Sequence, residues 1–402
     1  MRILFVAPYL PSLIRVRPYN LLRELAGRHE VTLLATDRAR KLAEADAIRP
    51  FCQKMVLVPL RKWASLLGCG TAALQGDPLQ SGFCRSRELE RAFRDLVGSR
   101  TFDLVHVEHL RAAHLAWHIP DGIPSLYDSV DCISLLLGRT MQSSHSLKQR
   151  VLAAMELQRT RGYEARLLRR FDRIAVTSPA DRLALLSLAP EAQVTVVPNG
   201  VDLEYFRMVG GPRDAATLVF SGKMSYHANV TALLYFMANI FPLVRAARPD
   251  VRLLVVGSDP PPSVRALGCD RSITVTGHLA DIRPALSRAT IAICPMIVKA
   301  GIQNKLLEAM AMSLPVVATS NAVQGLSVAA GRDLLVADDP AEFASHVCRL
   351  LNSPALRQRI GLAARGFVEL HHRWDAAARM LESLYVGAVE QRSGRQVKCA
   401  VG

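Results

Sequence analysis

"AGIQNKLLEAMAMSLPVVAT" (Ala300–Thr319) carries the pattern that decides the fold of this chain. Gly301 opens a Leu/Ala/Met-rich run at helical spacing, and Pro315 closes it where a strand-like "PVVAT" begins. A helix that feeds straight into a short, continuously apolar strand is half of a β-α-β unit, and such units build parallel sheets. Lys305 and Glu308 stand three positions apart on that helix. The spacing fits a solvated surface pair. It also fits the polar part of a ligand site at a helix–strand junction, where the amides of Gly301, Ile302 and Gln303 could cap a diphosphate.

The same alternation runs the length of the chain. Strand candidates in the first half are "RILFVAP", "EVTLLAT", "KMVLVPL", "DLVHVE", "PSLYD", "RIAVTS" and "VTVVP". The second half offers "TLVFSG", "RLLVVG", "ITVTG", "IAICP", "PVVAT" and "DLLVA". Helix-length segments separate most of them, and their continuous Val/Ile/Leu content predicts strands covered on both faces. The chain therefore reads as α/β, with two Rossmann-like domains. Residues 1–198 form the first and 199–372 the second, the break falling at Pro198-Asn199-Gly200. The polar stretch 390–402 reads as a frayed tail. Ligands of such sheets bind beyond the carboxyl ends of the strands, so the cleft between two such domains is the expected site.

Composition limits the function. A length of 402 residues exceeds what one core organises, and 50% apolar with 21% charged residues fits a soluble globular protein. The eight cysteines form no C-x-x-C and no ligand-like spacing with histidine, so they read as reduced thiols of a cytoplasmic protein. "MRILFVAPYLP" is interrupted by Pro8 and Pro11 and reads as a first buried strand rather than a leader. No run of 18 apolar residues occurs that would span a bilayer.

The net charge of +15 calls for an anionic partner. Between Arg139 and Arg173, nine Lys/Arg stand against three Asp/Glu. This excess reads either as a solvated helix face or as a patch resting on anionic lipid. Nucleic acid is disfavoured because no stacking aromatics accompany the charge.

The turn after the first strand, "VAPYLPSLIRVRP", has no glycine, which argues against an NAD or FAD fingerprint. Neither a G-x-x-x-x-G-K-[ST] loop nor a G-x-S-x-G elbow is present. The second half supplies phosphate-binding devices of another kind. "FSGKMSY" sets Gly222 and Lys223 at a strand end, where a cation would project beyond the sheet, although an ordinary exposed lysine fits the same letters.

In order along the chain, "VVPNGVDLEYF", "FSGKMSYHANVTALLYF", "LLVVGSDP", "ITVTGHLADIRPALSRATIAICP" and "GIQNKLLEAMAMSLPVVAT" resemble the retaining glycosyltransferases of family 4. The likeness is strongest from Pro198 to Asp338, and it is closest to bacterial enzymes that build exopolysaccharide. It implies the GT-B fold: two Rossmann-like domains whose parallel sheets face a central cleft, with a closing helix (373–389) that returns to the first domain.

The resemblance also implies roles. Lys223 stands where the family usually has an arginine on the donor diphosphate, and Gly222 precedes it. Glu308 matches the glutamate that binds the nucleotide ribose. Gly301, Ile302 and Gln303 match the loop on the phosphates, and Gly277 and His278 match the turn beside the base. His109 matches a histidine near the donor sugar and acceptor; taken alone, a histidine at a strand end reads equally as structural.

The chain also departs from the family pattern. Ala300 replaces a glutamate that usually touches the donor sugar. Ala228 or Asn229 replaces the second basic residue, a charge left to Lys299 or Lys305. Arg15 and Arg17 stand where a glycine-rich turn is common; they meet either an anionic acceptor or solvent.

The implied reaction moves a sugar from a nucleotide-diphosphate donor to a hydroxyl of a glycan or lipid-linked acceptor with retention, using neither metal nor cofactor. The reduced thiols point to the cytoplasm, and the lipid reading of the stretch 139–173, set against the solvated-face reading, would seat the chain peripherally on the inner face of the plasma membrane. Two rivals are a sugar-nucleotide epimerase on the same scaffold and a non-catalytic glycan-assembly component.

Overall fold

The computed structural model describes residues 1–13, 15–37, 42–99, 101–143, 147–209, 211–297 and 302–401. Two compact units result, one formed by Met1–Pro198 with Trp374–Gly402 and the other by Asn199–Arg373.

The first unit is built on seven strands: β1 (Arg2–Ala7), β2 (Glu30–Asp37), β3 (Lys54–Pro59), β4 (Leu104–Glu108), β5 (Ser125–Val130), β6 (Arg173–Val176) and β7 (Val194–Val196). They lie in the order β3-β2-β1-β4-β5-β6-β7, and every pair is parallel. β1 shows why continuous apolar runs were needed. Its alternate residues feed cores on opposite faces, Leu4 and Val6 into one and Ile3, Phe5 and Ala7 into the other.

Helix α1 (Val16–Ala26) follows β1. It is followed along the chain by α2 (Lys62–Leu74), the short α3 (Leu79–Gly82) and the long α4 (Leu147–Arg170).

The second unit has six strands: β8 (Thr217–Ser221), β9 (Arg252–Val256), β10 (Ile273–Val275), β11 (Ile291–Cys294), β12 (Val316–Ala318) and β13 (Leu335–Val336). Their order is β10-β9-β8-β11-β12-β13, again all parallel. Two of its helices bear on function, α5 (His227–Asn239) and α6 (Asn304–Ala311). Every strand named from the apolar runs is present. In both sheets the strand order reverses beside the first strand, between β1 and β4 and between β8 and β11. This is the topological switch point, where doubly wound sheets bind ligands.

The closing helix α7 (Trp374–Val401) belongs to the first unit. Trp374, Ala377, Ala378, Leu381, Tyr385 and Ala388 complete the core under β1 and β2. The Tyr385 hydroxyl lies 2.8 Å from His106 Nδ1 of β4. The helix continues past Val389, where a frayed tail was expected. Arg392 anchors this part through its Nε, 2.8 Å from Asp172 Oδ1, a long-range pairing that local polarity could not reveal.

Candidate functional site

At the carboxyl end of β8 the chain makes a turn that glycine permits. Gly222 has φ 145, and a Cβ there would lie 2.8 Å from Asn229 Nδ2 and 3.4 Å from Lys305 Nζ. Gly257, after β9, presses on the same point, since its Cβ would fall 1.7 Å from the Gly222 carbonyl oxygen. Met224 N–H donates to Ser258 O at 2.9 Å, tying the two strand ends together. Lys223 is thus held by its backbone while its side chain is exposed.

Asn229, buried in the first turn of α5, ties this turn to α6. Its Nδ2 donates to Lys223 O at 2.9 Å, and its Oδ1 accepts from Lys305 Nζ at 2.6 Å. Lys305 Nζ also sits 4.6 Å from the centroid of the Phe220 ring and 3.8 Å from Met296 Sδ. Burial lowers its pKa, and among the described residues no carboxylate forms an ion pair with it. Lys305 is the second residue of α6, so its charge lies near the positive end of the helix dipole, a place that favours an anion. Gln303 is the N-cap, and Ile302 precedes it. Gly301 lies outside the described residues, as do Lys299 and Ala300.

One turn further along α6, Glu308 is half-buried and its carboxylate makes no hydrogen bond or ion pair with a described residue. Burial pushes its pKa up to about 7, with Lys305 pulling the other way. Its neighbours Leu306, Leu307, Ala309 and Met310 are core residues and fix the face it presents. Gly277, with φ 70, ends β10, and its carbonyl accepts from Gly257 N–H at 3.2 Å. His278 beside it is exposed. Gly222, Gly257 and Gly277 therefore follow three neighbouring strands at one edge of the sheet. Asn229 and Gly257 were missed as site residues; the Gly-Ser following "LLVV" was the available signal for Gly257.

The first unit presents a different arrangement. His109 follows β4 with φ 64, its N–H donating to Asp128 O at 2.7 Å. Its Nδ1 accepts from Arg111 N–H at 3.2 Å, so the ring proton resides on Nε2. Burial and then the Arg111 guanidinium push its pKa down to about 3, which keeps the ring neutral.

Arg17 departs from its expected acceptor role. Its Nε and Nη2 donate to Asp128 at 2.8 and 3.0 Å, and Nη1 donates to Val197 O at 3.0 Å, all buried. A guanidinium committed to a buried carboxylate binds the fold together and does not reach substrate. Arg15 stays exposed, 4.0 Å above the Tyr9 ring, with Nη1 donating to Leu10 O at 3.1 Å. Arg111, not foreseen, joins it by donating to the Tyr9 hydroxyl at 2.9 Å. Glu108, close by on β4, is pushed up to about 8 by burial and by Asp128, so it is largely uncharged at neutral pH.

Residues 15–205 match the family model described as Glycosyltransferase Family 4, and residues 215–353 match that described as Glycosyl transferases group 1. The chain belongs to the group 1, family 4 glycosyltransferases.

Among curated relatives of this glycosyltransferase, a D-inositol 3-phosphate glycosyltransferase of Thermomonospora curvata is 28% identical over 71% of this chain and 72% of its own length. An uncharacterized 44.6 kDa protein in the cps region of Klebsiella pneumoniae is 24% identical over 38% of this chain. The matched segment spans 41% of that Klebsiella protein.

Among solved structures, sucrose-phosphate synthase from Thermosynechococcus elongatus superposes with a TM-score of 0.71 at 17% identity, covering 100% of both chains. HepE of Anabaena, in complex with UDP and glucose, gives 0.66 at 14% identity over 96% of this chain and 99% of its own. These likenesses establish the GT-B fold of the family-4 chain.

Proposed function

We propose that this glycosyltransferase moves a hexosyl group from a nucleotide-diphosphate sugar to a hydroxyl of a glycan or lipid-linked saccharide, with retention at the anomeric carbon. The observation that carries the reading is the β8/β11 switch point. Two lysines and a helix N-terminus lie there, and Glu308, whose charge acts on Lys305, makes no direct ion pair with a described residue. Such a place lacks an anion, and a diphosphate supplies one.

Lys223 and the α6 amides would bind the diphosphate, with Lys305 held toward it by Asn229. Glu308 would accept the ribose hydroxyls, and the turn at Gly277–His278 would lie beside the base. The C1–O bond to phosphate breaks as the acceptor oxygen bonds to C1 on the same face. The acceptor proton passes to the departing phosphate oxygen, so no separate base is needed. Charge grows on the diphosphate during this step, and preorganised cations stabilise it most at the transition state.

In the first unit, neutral His109 would donate its Nε2–H to a sugar oxygen and position it. Arg15 and Arg111 would meet an anionic group of the acceptor. The Klebsiella relative in a cps region supports exopolysaccharide or cell-envelope glycan synthesis, and the HepE complex supports UDP as the nucleotide.

Incubating the protein with UDP-, GDP- and ADP-sugars tests the reading. Transfer, or slow donor hydrolysis without acceptor, is the expected result. Interconversion of sugars, or thermal stabilisation with no turnover under any acceptor tried, would overturn it in favour of an epimerase or a binding module.

A further inference from the structure

Helix α2 is inverted relative to an ordinary surface helix. It buries its small residues Ala64, Ser65, Gly68 and Ala72 and turns Trp63, Leu66, Leu67 and Leu74 to the outside. Leu66 is 74% exposed and Leu74 92%. Backbone contact fixes this orientation, because a Cβ on Gly68 would lie 2.2 Å from the carbonyl oxygen of Gly82 in α3. The helix cannot turn its leucines inward without forcing α3 away.

The first half of α4 repeats the feature. Leu147, Val151, Leu152 and Met155 are exposed at helical spacing. Both helices flank α3: Leu79 N–H donates to Glu156 Oε2 of α4 at 2.7 Å, and Cys69 Sγ of α2 donates to Leu79 O at 3.3 Å.

The charge on these faces has one sign. Neither Lys62–Leu74 nor Leu147–Met155 contains an Asp or Glu, while Arg61, Lys62, Lys148 and Arg150 are exposed. The three carboxylates between Arg139 and Arg173 (Glu156, Glu164 and Asp172) are all buried. The far end of that stretch is different: Arg166 pairs with Asp77, Arg169 with Glu191, and Arg170 donates to Ile119 O. Arg161 is exposed further along α4, while beside the apolar residues the positive charge is that of Lys148 and of Arg150, whose Nε donates to Met141 O at 3.0 Å.

We propose that the outer faces of α2 and of the first half of α4 dock on an anionic bilayer surface. Trp63 and the leucines enter the boundary between headgroups and acyl chains, and the lysines and arginines reach lipid phosphates. Among the described residues no single helix is long and apolar enough to cross a membrane. The 13 residues of α2 rise about 20 Å, less than a hydrocarbon core of about 30 Å, so α2 lies in the interface. A second copy of the chain is a poorer occupant, because it would press one basic face against another. The inference does not depend on the donor chemistry.

The test uses the full chain with vesicles of phosphatidylcholine alone or mixed with phosphatidylglycerol, read by co-sedimentation and by tryptophan emission. Binding to the anionic vesicles should be about tenfold tighter or more, with a blue shift of the emission. Replacing Leu66→Ser and Leu67→Ser together should weaken it about tenfold or more, as should Lys148→Glu with Arg150→Glu, with thermal melting unchanged. Binding indifferent to phosphatidylglycerol, or no binding by the native chain, would overturn the proposal. So would a dimer in sedimentation velocity that the leucine substitutions dissociate while vesicle binding is unchanged.

Discussion

The two units repeat one topology and fill its switch point in opposite ways. Beside β1 and β4, Arg17 is locked on Asp128 and Val197 O, and Arg111 is tied to the Tyr9 hydroxyl. Beside β8 and β11, glycines make room; among the described residues Lys305 Nζ has only the neutral Asn229 amide and Met296 thioether as acceptors, and the Glu308 carboxylate has no hydrogen-bond or ion-pair partner. The first arrangement satisfies its buried Arg17–Asp128 pair internally and gains rigidity, while Arg15 and Arg111 meet only neutral groups among the described residues. The second leaves its charges unsatisfied, which costs stability in the absence of the proposed ligand, an anion with vicinal hydroxyls. The contrast teaches that of two units with one topology, the second is the one whose strand ends remain electrostatically incomplete, which is where the proposed donor diphosphate would bind.

The largest effect should come from breaking the completed side. Arg17→Ala strands Asp128 as a buried charge and should destabilise the first unit by about 3–5 kcal/mol. Thermal or urea unfolding measures it. If the protein that remains folded binds nucleotide normally, the pair is structural; a small loss of stability would break the comparison.

On the incomplete side, Lys223→Ala should lower kcat/KM about 10²-fold, close to 2.7 kcal/mol at the transition state, with little change in melting temperature because the side chain is exposed. Unchanged kinetics would remove Lys223 from the site.

A smaller, signed effect is expected from Glu308. Its carboxyl titrates near 7 in the folded chain against an ordinary 4.5, so the folded state holds the extra proton between those values. That stabilisation is present below about 4.5 and is lost as pH rises through about 7. Glu308→Gln should therefore make the unliganded protein more stable above neutral pH, by about 1–2 kcal/mol. It should also weaken nucleotide binding about tenfold. In the native chain, affinity for a nucleoside diphosphate should rise from pH 6 to 8 as the carboxylate forms. A flat profile would show that the ionised form is not what binds.

How much of this was legible depended on sequence distance. All thirteen strands were readable, because strands buried on both faces are largely apolar and even the partly exposed β3 and β10 keep apolar residues. The placing of Gly222 and Lys223 at a strand end and of Glu308 on the following helix was readable from local features, while the choice of a ligand role for them over a surface one came only from the family resemblance. Arg17 was misassigned because its partner is 111 residues away in the chain. Asn229 was noticed as a substitution, but its bond to Lys305 spans 76 residues and could not be inferred. The spacing of Trp63, Leu66, Leu67 and Leu74 would ordinarily mark a core face. Only the approach of Gly68 to Gly82 turns it outward.

The most direct test is calorimetric titration of the full chain with UDP, GDP and ADP, repeated on Lys305→Ala and Glu308→Gln. The account predicts uptake of at least one nucleoside diphosphate by the native chain, about tenfold or more weaker in each variant. No uptake of any of the three, or uptake that both substitutions leave unchanged, would contradict it.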